Sequence, residues 1–392
     1  MSKLRVLSIA TLYPNDLTPN FGVFVERQMQ AVAKRDDVEL VLVNPIGLPP
    51  FPLSLHPRYR GLAKLPQVEE RGGVTVLRPH FRLLPGIGGR FNARSVAHAV
   101  VPITTKLHDE RPFDLVDAQF FYPDGPAAVK VARILGLPCS IKARGADIQY
   151  WGKVPGVAEQ VLAAGQDATG LLAVSAGLID DMAALGIDPG KVTIHRTGLN
   201  ADLFRPYDRR MCRDELGLPR DAQVLACVGA LIPRKGQTYA IEAMPLLPDA
   251  ILLLAGQGPD EAALRSTAER LGVADRVHFL GAVPHDRLPI ILNAADVFVL
   301  PTASEGLANA WVEALACGTP VVTTPIPGAV ELLTDPAWGS FAARDKLAIA
   351  IEVSQLLANP PAPETVAAAV AGFSWETNAT ALVEYWQELA GR

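Results

Sequence analysis

Short apolar, β-branched runs alternate with helical patterns along almost the whole chain, and this alternation limits the fold more than any other feature. A strand that is apolar on both faces must be covered on both, so the alternation predicts α/β architecture: parallel sheets with crossover helices. In the first half the runs are Leu4–Ala10, Val38–Val43, Val74–Arg78, Leu115–Ala118, Cys139–Lys142, Gly170–Val174 and Val192–His195. The second half repeats the theme with Gln223–Val228, Ala250–Ala255, Arg276–Leu280, Ala295–Leu300 and Pro320–Thr323. Between the two series lies Leu199–Ala222, with Pro206, Pro219 and a charged cluster from Asp208 to Glu215, which reads as an interdomain connection. A chain of 392 residues that is 49% hydrophobic can fill two cores of ordinary size. Two doubly wound domains facing across a cleft are therefore expected. Near the C-terminus, Ala379, Leu382, Val383, Trp386 and Leu389 fall at helical spacing after Ser374, a plausible cap. Ala343–Ala371, rich in Ala and Pro, reads as surface helices.

Charge is uneven. Residues 1–196 carry 22 Lys and Arg against 18 Asp and Glu, whereas 197–392 carry 14 against 23. The segment 55–106 holds nine Lys and Arg with only Glu69 and Glu70 in opposition, and His80–Phe91 interleaves cations with apolar residues. One reading is a solvated loop and helix face. The other is contact with a membrane surface or a lipid-diphosphate acceptor. Cys139, Cys212, Cys227 and Cys317 show no paired spacing and sit among apolar or small residues, which suggests reduced structural thiols and a cytoplasmic location. The apolar run near Met1 is too short for a signal peptide, and no 18-residue apolar span follows, so any contact with the inner face of the plasma membrane is expected to be peripheral. The sequon Asn378-Ala379-Thr380 has no role in such a location.

Chemistry concentrates in Pro301–Val322, PTASEGLANAWVEALACGTPVV, where Glu305 and Glu313 bracket a helix start that follows a buried strand. Ligands of open α/β sheets bind at such strand-to-helix turns. Eight helical residues would separate the two carboxylates by roughly 12 Å. That exceeds the roughly 5 to 9.5 Å of a hydrolytic acid/base pair. The pair suits a long ligand gripped at two places, with the free amides of Gly306, Leu307, Ala308 and Asn309 turned toward anionic phosphate.

These residues resemble the retaining glycosyltransferase family 4, in the branch that carries EGLxN…EAxACGxPVV. Further support comes from Val228-Gly229-Ala230-Leu231 with Lys235-Gly236, from Gly256-Gln257-Gly258-Pro259, and from Val277-His278-Phe279-Leu280-Gly281. Pro14 with Phe21-Gly22-Val23-Phe24-Val25 looks like the family's first loop, and Ser175–Leu178 and Gly198-Leu199-Asn200 with Phe204-Arg205-Pro206 look like its hinge segment. The resemblance implies the GT-B fold: two Rossmann-like domains facing across a cleft, with the C-terminal helix returning to the N-terminal one. The acceptor domain would be 1–198 plus 375–392, and the donor domain 199–374.

By resemblance, Lys235 neutralises the leaving nucleotide diphosphate, and Arg234 shares that work because the family's frequent arginine is Ala230 here. Glu313 accepts from the nucleotide ribose and Glu305 from the transferred sugar. Gly22, Gly256, Gly258 and Leu280 join the donor site with Gly306–Asn309, the two glycines of 256–258 also reading as a simple turn. Two histidines of the family's first domain are replaced, by Arg144 in Arg144-Gly145-Ala146-Asp147 and by Gln119. Arg144 would bind phosphate or an acidic sugar, Asp147 would orient it or bind the acceptor, and Gln119 would bind the acceptor. No His, Cys or Asp spacing suggests a metal, and no cofactor is expected beyond the nucleotide-sugar substrate.

The implied reaction moves a sugar to a hydroxyl acceptor, a saccharide or lipid-linked chain of the cell envelope, with retention of configuration. The leaving diphosphate itself assists deprotonation. No nucleic acid partner is implied. Three other readings compete: a nicotinamide oxidoreductase, whose glycine fingerprint is missing at Gly-Ile-Gly-Gly 86–89; a GT-B epimerase or phosphorylase; and a catalytically silent binding subunit.

Overall fold

In a computed structural model describing residues 3–86 and 89–392, all twelve expected runs are strands. Ile87 and Gly88 of the 86–89 glycine stretch lie outside the described residues. The chain divides into two compact units, Met1–Gly198 with Trp375–Arg392, and Leu199–Ser374.

The first unit holds β1 (Leu4–Ile9), β2 (Val38–Val43), β3 (Ile46–Leu48), β4 (Val68–Arg71), β5 (Val74–Leu77), β6 (His80–Arg82), β7 (Leu115–Ala118), β8 (Cys139–Ala143), β9 (Gly170–Ala173) and β10 (Val192–Ile194). Eight of these form one sheet in the order β10-β9-β8-β7-β1-β2-β5-β4, parallel except for the β4–β5 pair. Because β1 lies between β2 and β7, the chain winds first to one side and then to the other, and the switch point falls between β1 and β7. The terminal helix Trp375–Leu389 buries Ala379, Leu382, Val383 and Trp386 in the core of this unit, beside Leu4, Val6, Leu115 and Leu172.

The second unit holds β11 (Gln223–Val228), β12 (Ala250–Ala255), β13 (Val277–Gly281), β14 (Val297–Leu300), β15 (Val321–Thr323) and β16 (Gly339–Phe341). Its sheet is wholly parallel, in the order β13-β12-β11-β14-β15-β16. Here the switch point lies between β11 and β14.

Leu199–Ala222 is not a linker. Leu199, Phe204 and Leu218 are buried in the second core. Within the stretch, helix Arg209–Glu215 starts at Asp208, whose carboxylate accepts the Met211 amide at 2.9 Å, and Arg213 reaches Asp296 at 2.7 Å. The charges that resemble those of a linker are a helix cap and an ion pair. Likewise, helix Lys346–Ala358 is only partly superficial, since it buries Ile349, Ala350 and Val353. The strands that periodicity missed, β3, β4, β6 and β16, are three or four residues long. β4 is a charged edge strand, VEER, and shows no apolar alternation.

Candidate functional site

The loops after β11 and β14 flank the switch point of the second sheet, and they supply three charged side chains that meet. Lys235, at the end of the 3-10 turn Pro233–Lys235, places Nζ 2.6 Å from Glu305 Oε1. Arg234 donates from Nη1 to the same oxygen at 2.7 Å and to the Ser304 carbonyl. The Thr302 hydroxyl lies 3.3 Å from it. Two cations on one carboxylate leave a net positive charge. A lysine offers three donors and an arginine five, so most of their hydrogen-bonding capacity is still available to an anion.

Neighbouring backbones interlock at this end of the sheet. Gly256 has φ +150°, and a Cβ there would lie 1.9 Å from the Gly229 carbonyl oxygen; one at Gly258 would lie 2.1 Å from the Leu231 carbonyl oxygen. Leu231 N–H donates to the Gln257 carbonyl at 3.0 Å, closing the contact between the loops after β11 and β12. Packing alone therefore requires both glycines. Leu280, half-buried in β13, packs against the core two strands from β11.

Gly306, Leu307 and Ala308 lead into helix Asn309–Ala316, whose first turn has no side-chain cap. Its leading amides are thus available to an anion. Glu313 lies one turn after Asn309, on the same face. Its Oε1 is 2.7 Å from His285 Nε2, and the His285 ring packs against Phe204 with centroids 5.1 Å apart. Sequence reasoning missed His285. Its only signal was a histidine in the loop after a sheet strand. It also missed Gly328, where a Cβ would lie 1.9 Å from the Gly306 carbonyl oxygen, although the dipeptide Pro327-Gly328 marks a turn.

The first unit assembles a second constellation around its own switch point. Asp117, at the end of β7, is wholly buried and accepts from Ser8 at 2.8 Å, Gln119 Nε2 at 2.6 Å and Trp386 Nε1 at 3.2 Å. Arg144, after β8, donates from Nη2 to Gln119 Oε1 at 2.5 Å and to Gln28 Oε1 at 3.2 Å, and from Nε to the Gln119 carbonyl at 2.7 Å. The two residues that stand where the resemblance leads one to expect histidines are therefore hydrogen-bonded partners. Buried Lys142 donates to Gln28 and lies 2.5 Å from His195 Nδ1, while His195 Nε2 faces the Asn378 carbonyl at 2.9 Å. A carbonyl can only accept, so Nε2 carries the proton and Nδ1 accepts from Lys142. Burial, reinforced by the neighbouring Arg144 charge, holds Lys142 well below the usual ammonium range.

Of the two roles expected for Asp147, orienting Arg144 or binding the acceptor, its contacts match the first. It is wholly buried and its carboxylate accepts the amides of Phe121 at 2.9 Å, Arg144 at 3.0 Å and Gly145 at 2.8 Å. It fixes the turn that aims Arg144. Gln119 is buried too, with its amide committed to Asp117, Gln28 and Arg144. Gly22 has φ +79°, and a Cβ would meet the Leu12 carbonyl at 2.6 Å, so the fold of this loop itself demands glycine.

Asp124, wholly buried at the start of helix Asp124–Leu135, accepts the Thr11 amide at 3.0 Å through Oδ2, while Oδ1 has no partner. Burial raises its carboxyl to about 7, with the Thr11 bond opposing and the Asp147 and Asp117 charges reinforcing the rise. An unfolded aspartate titrates near about 3.9. Between those values the folded state holds a proton that the unfolded state lacks, so the stability this group contributes declines as pH rises and is lowest above about 7. Asp124→Asn keeps an acceptor for Thr11 without the charge. Denaturant titration is expected to show the variant more stable than wild type by a few kcal/mol at pH 8, since each tenfold change in proton affinity on folding is worth about 1.4 kcal/mol, with the gain shrinking toward pH 4.5. A gain independent of pH would contradict this account.

Comparison with known proteins gives matches of three kinds. The family model for glycosyl transferases group 1 matches residues 208–386. A Bacillus subtilis (strain 168) protein named for teichuronic acid biosynthesis, the glycosyltransferase TuaC, is 32% identical over 84% of this chain and 83% of its own length. The D-inositol 3-phosphate glycosyltransferase of Mycobacterium leprae (strain Br4923) is 36% identical over 52% of this chain and 50% of its own. Among solved structures, sucrose-phosphate synthase of Thermosynechococcus elongatus superposes with TM-score 0.80 at 19% identity, over 99% of this chain and 100% of that one. HepE of Anabaena, solved with UDP and glucose, gives 0.75 at 19% identity, over 98% and 100%. The α/β fold with parallel sheets is thus the one shared by GT-B glycosyltransferases.

Proposed function

Because the chain belongs to the group 1 glycosyltransferases, we propose that it transfers a sugar from a nucleotide-sugar to a hydroxyl acceptor with retention of configuration, as in family 4. The observation that carries this reading is the meeting of Lys235 and Arg234 on Glu305 at the switch point of the second unit, beside an uncapped helix start. In this reading the diphosphate takes the free donors of Lys235 and Arg234 and the first-turn amides from Gly306 to Asn309. Glu313 accepts from the ribose, with its carboxylate oriented by His285. Glu305 holds the cations in place and meets the sugar hydroxyls. The charge that develops on the leaving diphosphate is then stabilised by groups already in position, which lowers the barrier more than uniform substrate binding would. This reading assigns the stabilisation to side chains and backbone amides and includes no metal.

The teichuronic acid relative favours an acceptor in cell-envelope polysaccharide synthesis, either lipid-linked or a growing chain. The domain roles follow the same reading, with donor chemistry in Leu199–Ser374 and acceptor contacts in Met1–Gly198. None of the described helices is long and apolar enough to cross a membrane. Peripheral attachment from the cytoplasmic side belongs to the same proposal.

A panel of UDP-, GDP- and ADP-sugars scored by thermal shift tests the donor. One nucleotide-sugar at 100 times its dissociation constant is expected to add about 2.7 kcal/mol of stability. Proton NMR of the product formed with that donor is expected to show the donor's anomeric configuration, and an inverted product would overturn the retaining assignment.

A further inference from the structure

A surface depression of about 360 Å³ in the first unit lies between β6, helix Asn92–Glu110 and helix Asp124–Leu135. Arg82, Arg94 and Lys130 line it together with His80, His98 and Phe91, and no carboxylate does. Each of the three cations is exposed, and none takes part in an ion pair among the described residues. Arg94 and His98 stand one helical turn apart, on one face. His80 Nε2 is buried without a hydrogen-bond partner. Folding has thus gathered charge of one sign from a strand and two helices without neutralising it, which concentrates positive potential in a concave site.

Size and chemistry narrow the ligand. The volume corresponds to roughly twelve waters at about 30 Å³ each, enough for a diphosphate and the first part of whatever it carries. Arginines match phosphate oxygens with paired donors, and the exposed Phe91 ring offers an apolar or sugar-stacking face beside them. We propose that this depression binds the phosphate or diphosphate group of the acceptor. The site rests on the proposed function only for the identity of what carries the phosphate. Four residues of the basic, apolar-interleaved stretch visible in the sequence, His80, Phe81, Arg82 and Phe91, line this site.

Inorganic pyrophosphate and vesicles of equal parts phosphatidylglycerol and phosphatidylcholine serve as the two probes. Both are applied to the full chain carrying Arg234→Ala and Lys235→Ala, which removes the competing cation pair. Calorimetry reads the first probe and co-sedimentation the second. Adding Arg82→Ala, Arg94→Ala and Lys130→Ala is expected to weaken at least one of them about tenfold or more, since each cation near an anionic surface contributes substantially. Loss of pyrophosphate binding identifies recognition of the phosphate itself, and loss of vesicle binding alone identifies a lipid headgroup. Unchanged binding of both probes overturns the proposal. Lys130→Glu alone is expected to act in the same direction and checks that the triple variant is not merely misfolded. Nucleotide-sugar binding by the chain with Arg234 and Lys235 intact is a separate readout, so failure of the donor reading would be distinct.

Discussion

Lys235→Ala is expected to lower kcat with the cognate nucleotide-sugar by about 100- to 1,000-fold, the usual consequence of deleting one preorganised donor that faces developing charge. The physical reason lies in how the residue is held. Its Nζ is fixed 2.6 Å from Glu305 Oε1 and its side chain is largely buried, so the ammonium needs little reorganisation when charge moves onto the diphosphate. Arg234 contacts the same carboxylate at 2.7 Å and remains in the variant, so Glu305 is not stranded without a partner. The fold should therefore survive, and the effect should fall on kcat more than on KM, because the interaction is strongest when the leaving group is most charged. Steady-state kinetics with a saturating donor measures this. A loss of less than about tenfold would mean that Lys235 does not face the leaving group.

Trp386→Ala is expected to destabilise the first unit by about 3–5 kcal/mol. Trp386 is fully buried in the core shared by the terminal helix and β1, and its indole N–H donates to Asp117 at 3.2 Å. The substitution removes a large apolar surface and one of the donors to a carboxylate that burial already disfavours in its charged form. For a unit of this size the loss corresponds to a fall in thermal midpoint of roughly 6–20 °C, visible by calorimetry. A shift of less than about 2 °C would show that the helix is not an integral part of that core.

Long apolar runs made the sheets legible: every strand with four or more consecutive buried positions coincides with a run visible in the sequence, β7 and β14 among them. The missed strands carry too little apolar pattern to read, because β4 (VEER) is charged and β3 (IGL) and β16 (GSF) are three residues with a glycine in each. The Leu199–Ala222 segment misled because prolines and charges look alike in a linker and in a capped, ion-paired helix. At the site, residues carrying charge near a glycine turn were readable, whereas the pairing of His285 with Glu313 was not, since 28 residues and a change of element separate them. Asp147 shows the converse: a motif residue whose carboxylate the fold uses for its own backbone.

Titration of the cognate nucleotide-sugar into wild type and into Glu313→Ala by isothermal calorimetry tests the central claim most directly. If Glu313 anchors the ribose, deleting this charged acceptor should weaken binding about 10- to 150-fold, equivalent to about 1.5–3 kcal/mol for a hydrogen bond to a charged group, with the thermal midpoint of the free protein little changed. Equal affinity in the two proteins would contradict the assignment of the donor site to the loops after β11 and β14.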